Sequence, residues 1–229
     1  MRKFAILQIS SGEKREIEDL VVEEFPLSVI LNQKEISTLY CTPVALEYLV
    51  LGFLYTQGFI KGKEEVKKLE IDLEKGRAHV EAILNAREEL REIKSDFTIS
   101  SEEIFELMRQ FQKRSCIFQA TGGTHSAALC DKKGIIIFHE DLGRHNAIDK
   151  VLGEALLRDI PTEDKIILAS GRIPSEILLK VARAKIPICA SISAPTALAI
   201  ELADKFGITI AGFVRGERMN IYSHKERIT

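Results

Sequence analysis

Short apolar runs alternate with helix-like segments through the second half of this 229-residue chain, and this alternation most constrains its fold. Apolar runs at residues 166–169, 186–192 and 208–214 are separated by helical patterns at 175–184 and 196–206. Because the runs are continuously apolar, they are typical of strands in a sheet that helices cover on both faces. The pattern predicts a three-layer α/β domain whose parallel strands are joined by right-handed crossovers.

Further elements are predicted from turn residues, helix caps and apolar periodicity. In chain order they are a strand at 27–31, a helix capped by Thr42 and ended by Gly58, two strands within 69–84, a helix opened by the capping box of Ser100 and Glu103, a hairpin at 127–130 and 135–138, a helix at 146–157 and a strand at 219–222. We place the domain boundary just before the capping box. The chain then divides into a small α+β N-terminal domain, residues 1–99, and an α/β domain, residues 100–229.

Charge and cysteine usage limit the classes of function. Thirty-two basic residues nearly balance 34 acidic ones, for a net charge of -2, which argues against nucleic-acid binding through bulk positive charge. The longest apolar stretch, residues 49–55, is too short to span a bilayer, so no membrane association is expected. The widely spaced Cys41, Cys116, Cys130 and Cys189 predict reduced thiols, a cytoplasmic protein and no zinc or other metal site.

Polar segments follow the predicted strands. They are residues 140–146 (EDLGRHN), 170–176 (SGRIPSE), 191–196 (SISAPT) and 212–218 (GFVRGER). Since ligands bind outside the carboxyl ends of strands in such sheets, these segments are expected at one edge. The first three segments also precede helices, whose free N–H groups favour an anion.

Arginines and glycines within these segments suit a phosphate ligand. The glycines permit tight turns or close approach of the backbone, and the arginines bind phosphate bidentately. The arginines are Arg144, Arg172, Arg215 and Arg218. The alternative is that the segments are ordinary caps and turns, with the arginines paired to Glu140, Asp141, Glu176 and Glu217. Four such segments in succession favour an anionic, nucleotide-like ligand.

A glycine segment at residues 118–125 (FQATGGTH) precedes the predicted hairpin. Gly122 and Gly123 would bend the backbone around a ligand, and His125 would donate or accept a proton. The alternative is a structural turn and a structural histidine. A nucleotide-acting enzyme with His125 or His145 as its base also stays open, although the chain contains no Walker A loop, no Gly-x-Gly-x-x-Gly turn and no Gly-x-Ser-x-Gly elbow.

Six collinear stretches between about residues 40 and 222 resemble the formate dehydrogenase accessory sulfurtransferase family, FdhD. They lie at 42–60, 118–125, 140–150, 170–172, 190–196 and 212–222. The resemblance implies a cytidine-deaminase-like α/β domain behind a smaller N-terminal domain, usually in a homodimer. It also implies that the protein accepts sulfur from a cysteine desulfurase as a persulfide. The sulfur then passes to the molybdenum or tungsten of a bis-molybdopterin guanine dinucleotide cofactor destined for formate dehydrogenase.

The resemblance also bears on the binding residues. In the family, the segment matching Phe213, Val214, Arg215, Gly216, Glu217 and Arg218 contributes to binding the guanine-dinucleotide cofactor. With the strand-end argument, the candidate cofactor-binding set further includes Gly122, Gly123, His125, Arg144, His145 and Arg172. A zinc deaminase needs a His-x-Glu pattern and paired cysteines, and residues 125–127 (HSA) lack the glutamate, so deamination is not expected.

The sulfur-carrying segment differs from the family pattern. The family has a Cys-Gly-x-Cys-Gly type loop between its domains, whereas residues 92–100 (EIKSDFTIS) contain no cysteine. Because a persulfide requires a thiolate, Cys116 is the candidate catalytic residue, helped by the preceding basic residues 113–114. Cys41, just before a predicted helix, is a second position that favours a thiolate, while Cys130 and Cys189 are expected in the core. The alternative is that all four are small apolar fillers, and the protein is a cofactor-binding chaperone without sulfur transfer.

Overall fold

A computed structural model of the chain describes residues 1–84, 86 and 88–229. Its first part contains β1 (Arg2–Ser10), β2 (Glu13–Val21), β3 (Phe25–Leu31), β4 (Lys34–Cys41), α1 (Leu46–Thr56), β5 (Val66–Asp72) and β6 (Arg77–Ala82). Strands β1 and β2 form a separate antiparallel hairpin, and the next four strands form a sheet in the order β4-β3-β6-β5. One face of this sheet packs on α1, because the inward residues of the strands are apolar.

The second part is a six-stranded sheet with helices between its strands. Its elements are α2 (Ser101–Arg114), α3 (Cys116–Thr121), β7 (His125–Asp131), β8 (Gly134–Asp141), α4 (Arg144–Leu157), β9 (Ile166–Ala169), α5 (Ser175–Arg183), β10 (Ile188–Ser191), α6 (Ala197–Phe206), β11 (Thr209–Arg215) and β12 (Arg218–Ile221). The strand order is β12-β11-β10-β9-β7-β8. Strands β9, β10 and β11 are parallel, as predicted, and β7 is antiparallel to both β8 and β9.

Helices cover both faces of the six-stranded sheet, as the apolar runs predicted. Helix α2 packs on one face through Ile104, Leu107, Met108 and Phe111. Helices α4, α5 and α6 pack on the other face, and α4 also contacts α1. None of the helices in the described part of the chain is long and apolar enough to cross a membrane.

The contact between α1 and α4 is unusually close because each helix presents a glycine. A Cβ atom at Gly52 would lie 1.8 Å from the carbonyl oxygen of Asp149, and one at Gly153 would lie 1.9 Å from that of Tyr48. Only a residue without a side chain fits at either position. This crossing joins the four-stranded sheet to the helical layer of the six-stranded sheet.

Most predicted elements are confirmed, but the cap of the first helix is wrong. Helix α1 begins at Leu46, and Ala45, with φ 55°, occupies the N-cap position instead of Thr42. The Thr42 N–H and hydroxyl both donate to Asp141 Oδ2, each at 3.1 Å. The capping box of Ser100 and Glu103 is confirmed at the start of α2. The division at residues 99 and 100 stays a prediction.

Candidate functional site

The carboxyl ends of β8, β9, β10 and β11 lie at one edge of the six-stranded sheet, together with the start of β7. Adjacent strand ends are linked there by hydrogen bonds. The Ser191 hydroxyl donates to the carbonyl oxygen of Gly171 at 2.7 Å, and the Ser126 N–H donates to Ser170 Oγ at 2.9 Å. His125 Nδ1 lies 3.2 Å from the same Ser170 hydroxyl. The predicted segments therefore come together around the end of β9.

Arg144, the first residue of α4, lies at the centre of this edge. A Cβ atom at Gly171 would lie 3.0 Å from Arg144 Cδ and 3.3 Å from His125 Nδ1, so the glycine leaves room for both side chains. Arg144 Nε is buried and has no hydrogen-bond partner among the described residues. Burying a donor without an acceptor is costly, and a charged donor is costlier still. The arrangement is suited to an anion that would accept from this guanidinium.

The two histidines at this edge carry no charge at neutral pH. Burial, with a contribution from Arg144, lowers the pKa of His125. Burial, with the charges of Lys180 and Arg144, lowers the pKa of His145 to about 4. The 3.5 Å contact between His145 Nε2 and Glu176 Oε2 is therefore not an ion pair at neutral pH. Fixed positive charge at this edge comes from arginine.

The site arginines are not paired with the neighbouring acids. Within the described residues, no ion pair involves Arg144, Arg172, Arg215 or Arg218. Glu140 instead accepts from the N–H groups of Ile117 and Phe118, at 3.0 and 2.8 Å. Asp141 pairs with Lys150 at 2.6 Å. The expectation that these two acids neutralise the arginines is not met.

Two of the arginines face each other across the turn between β11 and β12. Arg215 and Arg218 are directly paired in the register of the two strands. Arg215 Nε donates to the carbonyl oxygen of Ile192 at 3.0 Å, which holds it beside the end of β10. Like charges on opposite strands destabilise a hairpin, so an anion between them would be stabilising.

The rest of the turn segment does not converge on Arg144. Val214 is fully buried against the α2 side of the sheet, so its side chain is not open to a ligand. Phe213 adopts φ 53°, and its N–H donates to the carbonyl oxygen of Ser193 at 3.1 Å. Glu217 and Arg218 line a groove of about 670 Å³ with Ser101, Glu102, Phe105, Arg109, Met219 and Ile221.

Gly122 and Gly123 of the predicted glycine segment have local roles in the chain, whereas His125, the last residue of that segment, lies at this edge. Gly122 ends α3 with φ 66°. A Cβ atom at Gly123 would lie 2.6 Å from Val22 Cγ1, so this glycine packs against the chain that follows the hairpin. Arg172 is exposed in the loop after β9. Gly122 therefore ends a helix in the left-handed conformation, and Gly123 allows close packing against Val22.

Three of the four cysteines are buried. Burial raises the pKa of Cys41 and of Cys189 to about 12, and it also raises the pKa of Cys130. The prediction that Cys41 favours a thiolate is therefore wrong, because its thiol is buried and close to Asp141. Cys116 is exposed, so the alternative that all four cysteines are core fillers is wrong for this one.

Cys116 begins α3 and is fixed beside the sheet edge through its neighbours in sequence. Ser115 Oγ lies 2.7 Å from Ser126 Oγ, next to His125, and the Ile117 N–H donates to Glu140 on β8. The backbone on either side of Cys116 is thus anchored to β7 and β8, while the thiol itself is exposed. Because Glu140 occupies the first N–H groups of α3, they are not available to stabilise a thiolate.

A buried ion pair that was not predicted from the sequence supports the start of α4. Lys150 Nζ lies 2.6 Å from Asp141 and donates to Thr42 Oγ1 at 2.7 Å. Asp141 also accepts from the N–H of Gly143 at 3.2 Å and from Asn146 Nδ2 at 2.9 Å. The carboxylate therefore positions the residue before Arg144. In the predicted helix at 146–157, Lys150 lies on the face opposite Ile148 and Leu152, so the apolar periodicity gave no signal that it is buried.

The sequence model of the FdhD/NarQ family matches residues 22–96 and 81–229. Sulfur carrier protein FdhD of Bacillus pumilus is 41% identical over 100% of this chain and 97% of its own length. This chain belongs to the FdhD/NarQ family. The Bacillus subtilis protein of the same name is 40% identical over 97% of this chain and 95% of its own. The crystal structure of a "putative formate dehydrogenase accessory protein" from Desulfotalea psychrophila superposes with a TM-score of 0.89 at 32% identity, covering 100% of this chain and 99% of that one.

The comparisons also show that this FdhD/NarQ chain has fewer residues than the length over which it aligns with a relative. The alignment with the Bacillus pumilus protein runs over 255 positions and includes all of this chain, whose length is 229 residues, so at least 26 positions have no residue here. The family match comes in two pieces that overlap at residues 81–96. The overlap includes residues 92–96, and residues 92–100, where the resemblance places the family's cysteine loop, contain no cysteine.

Proposed function

We propose that this protein binds bis-molybdopterin guanine dinucleotide, with molybdenum or tungsten, as cargo and carries sulfur to it during formate dehydrogenase maturation. The relatives named sulfur carrier protein FdhD support the sulfur-carrier role. The observation that supports a binding site for this cargo is the buried Nε of Arg144, which has no hydrogen-bond partner among the described residues. It lies at the edge of the sheet where the carboxyl ends of four strands meet. The cargo contains pyrophosphate groups, which are natural acceptors for a desolvated guanidinium.

The surroundings of Arg144 suit a phosphate. Gly143 is the N-cap of α4 and has no side chain to cap the first turn, so N–H groups there are open to an acceptor. Arg215 and Arg218, which face each other, supply further charge at the end of β11. In this proposal, Arg144 binds the pyrophosphate and the segment from Phe213 to Arg218 binds the guanine end of the cargo.

Replacing Arg144 tests the cargo site. We expect Arg144→Met to weaken binding of GDP, a probe for the guanine-dinucleotide end, by about tenfold or more, since a hydrogen bond to a charged group contributes about 1.5–3 kcal/mol. The matched control is Arg158→Met, because Arg158 is 49% exposed at the other end of α4 and pairs with Glu154. Isothermal titration calorimetry measures both affinities. Equal GDP affinity in Arg144→Met and wild type would refute this placement of the site.

We propose Cys116 as the sulfur carrier, because it is the exposed thiol among the four cysteines. The Cys116 thiolate would attack the outer sulfur of a persulfide on a cysteine desulfurase. The sulfur–sulfur bond of the donor breaks, the donor cysteine leaves as a thiolate, and a persulfide forms on Cys116. The exchange needs no further oxidant or reductant.

Cys116→Ser is expected to abolish persulfide formation when the protein is incubated with a cysteine desulfurase and cysteine. The reason is that a hydroxyl does not replace a thiolate as nucleophile, and the remaining thiols are buried. Intact-protein mass spectrometry detects the added sulfur atom. The control Cys189→Ala removes a buried thiol and is expected to keep the modification. Persulfide formation that survives in Cys116→Ser would exclude Cys116 as the carrier.

A cofactor-binding chaperone without sulfur transfer is the second candidate. The specific observation that favours it is the absence of cysteine from residues 92–100. Wild-type protein that binds GDP but acquires no persulfide would decide for this candidate. In either case we propose a cytidine-deaminase-like six-stranded domain, a cytoplasmic location and formate dehydrogenase as the recipient of the cargo.

We also propose that the protein is a homodimer. In the described part of the chain, β1 pairs with β2 alone, and its residues 4–10 (FAILQIS) are uncharged, with Phe4, Leu7 and Ile9 each 46–62% exposed. An isolated hairpin is marginally stable, and an uncharged edge strand favours pairing with another strand. We expect β1 of a second copy to pair antiparallel with it. Sedimentation velocity would show a dimer in wild type and a monomer in Leu7→Lys, and a monomeric wild type would contradict the proposal.

A further inference from the structure

A second cavity, of about 350 Å³, lies at the opposite end of α5 from the candidate site. Its wall comes from residues that follow α1, from residues 88–94 and from the last turn of α5. Helix α5 separates the two places, since Glu176 in its first turn contacts His145 and Arg183 is its last residue. The cavity is therefore distinct from the edge that contains Arg144.

Arg183 is fixed in the wall of this cavity. Its carbonyl oxygen accepts from the Tyr55 hydroxyl at 3.0 Å. Gly58 has φ 75°, and a Cβ atom there would lie 3.0 Å from Arg183 Cζ and 3.1 Å from Nη1. The guanidinium thus lies flat against the backbone after α1, in space that only a glycine leaves free. Its position is set by packing and not by a charged partner.

The Nε–H group of Arg183 has no acceptor among the residues that the structure describes. Its Nε is buried and without a hydrogen bond, and no ion pair involves this side chain within the described residues. Four glutamates line the same cavity, but none of them is within ion-pair distance of it; they are Glu88, Glu89, Glu92 and Glu163. Glu163 instead lies 3.9 Å from Lys185. A buried Nε–H group without an acceptor is costly, and the paired N–H donors of a guanidinium match a carboxylate or a phosphate.

We propose that this cavity binds a small anionic molecule through Arg183. The ligand class is a carboxylate or phosphate ester of metabolite size, since 350 Å³ is at the small end of the range for ligand pockets. Lys61, Lys94 and Lys185 on the rim add positive charge, and the glutamates favour a ligand that also carries an amino group. The inference does not rest on the function proposed above.

The test uses full-length wild-type protein titrated separately with inorganic phosphate and with acetate. The Nε–Hε resonance of Arg183 in a ¹H–¹⁵N spectrum, assigned by its loss in Arg183→Lys, is expected to shift in a saturable way with one of the two. The anion that shifts it distinguishes a phosphate from a carboxylate ligand. A resonance that neither anion moves would overturn the proposal.

Binding affinities give an independent readout. Arg183→Met is expected to weaken binding of the effective anion at this cavity by about tenfold or more, whereas Lys185→Met, on the exposed rim, is expected to change it less than about threefold. Calorimetric titration in an Arg144→Met background removes the candidate site's arginine with a buried, unpartnered Nε from the measurement. Equal affinities with and without Arg183→Met in that background would refute the site. If Arg183→Met does not fold, Arg183→Lys is measured instead, because lysine keeps the positive charge but lacks the paired N–H donors of a guanidinium.

Discussion

Gly153→Ala is expected to destabilise this protein by about 3 kcal/mol or more, although alanine is the better helix former. Intrinsic propensity alone would stabilise α4 by up to about 1 kcal/mol. The added Cβ would lie 1.9 Å from the carbonyl oxygen of Tyr48 and 2.7 Å from the N–H nitrogen of Gly52. Both are backbone atoms of α1, so neither can rotate away, and the helices must separate.

The measurement is chemical denaturation followed by circular dichroism, with the free energy of unfolding extrapolated to water. Gly52→Ala is expected to behave alike, because its Cβ would lie 1.8 Å from the carbonyl oxygen of Asp149. The control is Gly216→Ala in the β11–β12 turn, where φ is 59° and no atom lies within 4 Å of the new Cβ. At Gly216 only the left-handed backbone conformation disfavours alanine, and this lowers the free energy of unfolding by about 1–2 kcal/mol. Stabilisation by Gly153→Ala would contradict the close crossing.

Elements specified by local chemistry could be predicted from the sequence. The apolar run at 166–169 is β9, because four consecutive apolar residues are buried on both faces. The Thr196 hydroxyl accepts from the Ala199 N–H at the start of α6, a cap readable from the chain. The hairpin of β1 and β2 was missed despite Gly12 in its turn, because most of its strand residues are exposed.

Features that depend on distant residues could not be predicted. Thr42 and the following proline have the local pattern of a helix start, but Asp141 takes both the N–H and the hydroxyl of Thr42. The glycines of the α1–α4 crossing are 101 positions apart, and nothing in either helix alone indicates the other. Long-range burial overrides local preference in both cases.

The candidate site was predictable in its location and not in its details. Strand order places the carboxyl ends at one edge, so the segments with Arg144 and Arg215 lie along the same edge of the sheet. Whether these arginines remain without acidic partners depends on where Glu140 and Asp141 point, and the sequence does not specify that. In the structure, Glu140 accepts a hydrogen bond from an N–H group of α3, and Asp141 forms an ion pair with Lys150.

Lys150→Met is expected to lower the free energy of unfolding by about 3–5 kcal/mol, the usual effect of removing one partner from a buried ion pair. The side chains of Lys150 and Asp141 are 1% and 0% exposed, and their charges lie 2.6 Å apart. In Lys150→Met, the negative charge of the Asp141 carboxylate would be stabilised only by the N–H, hydroxyl and amide groups that donate to it. Urea denaturation measures the change.

Two comparisons separate the charge from the packing at Lys150. Lys3→Met removes a lysine from an exposed pair with Glu18, at 70% and 67% exposure, and is expected to cost less than about 1 kcal/mol. The double variant Asp141→Asn with Lys150→Met is expected to be less destabilised than the sum of the single variants, because neither charge is then left alone. Since Asp141 also holds the N–H of Gly143, the loss should extend to the start of α4 and weaken GDP binding at Arg144. A cost for Lys150→Met no greater than that for Lys3→Met would mean that the buried pair does not stabilise the link between Thr42 and α4.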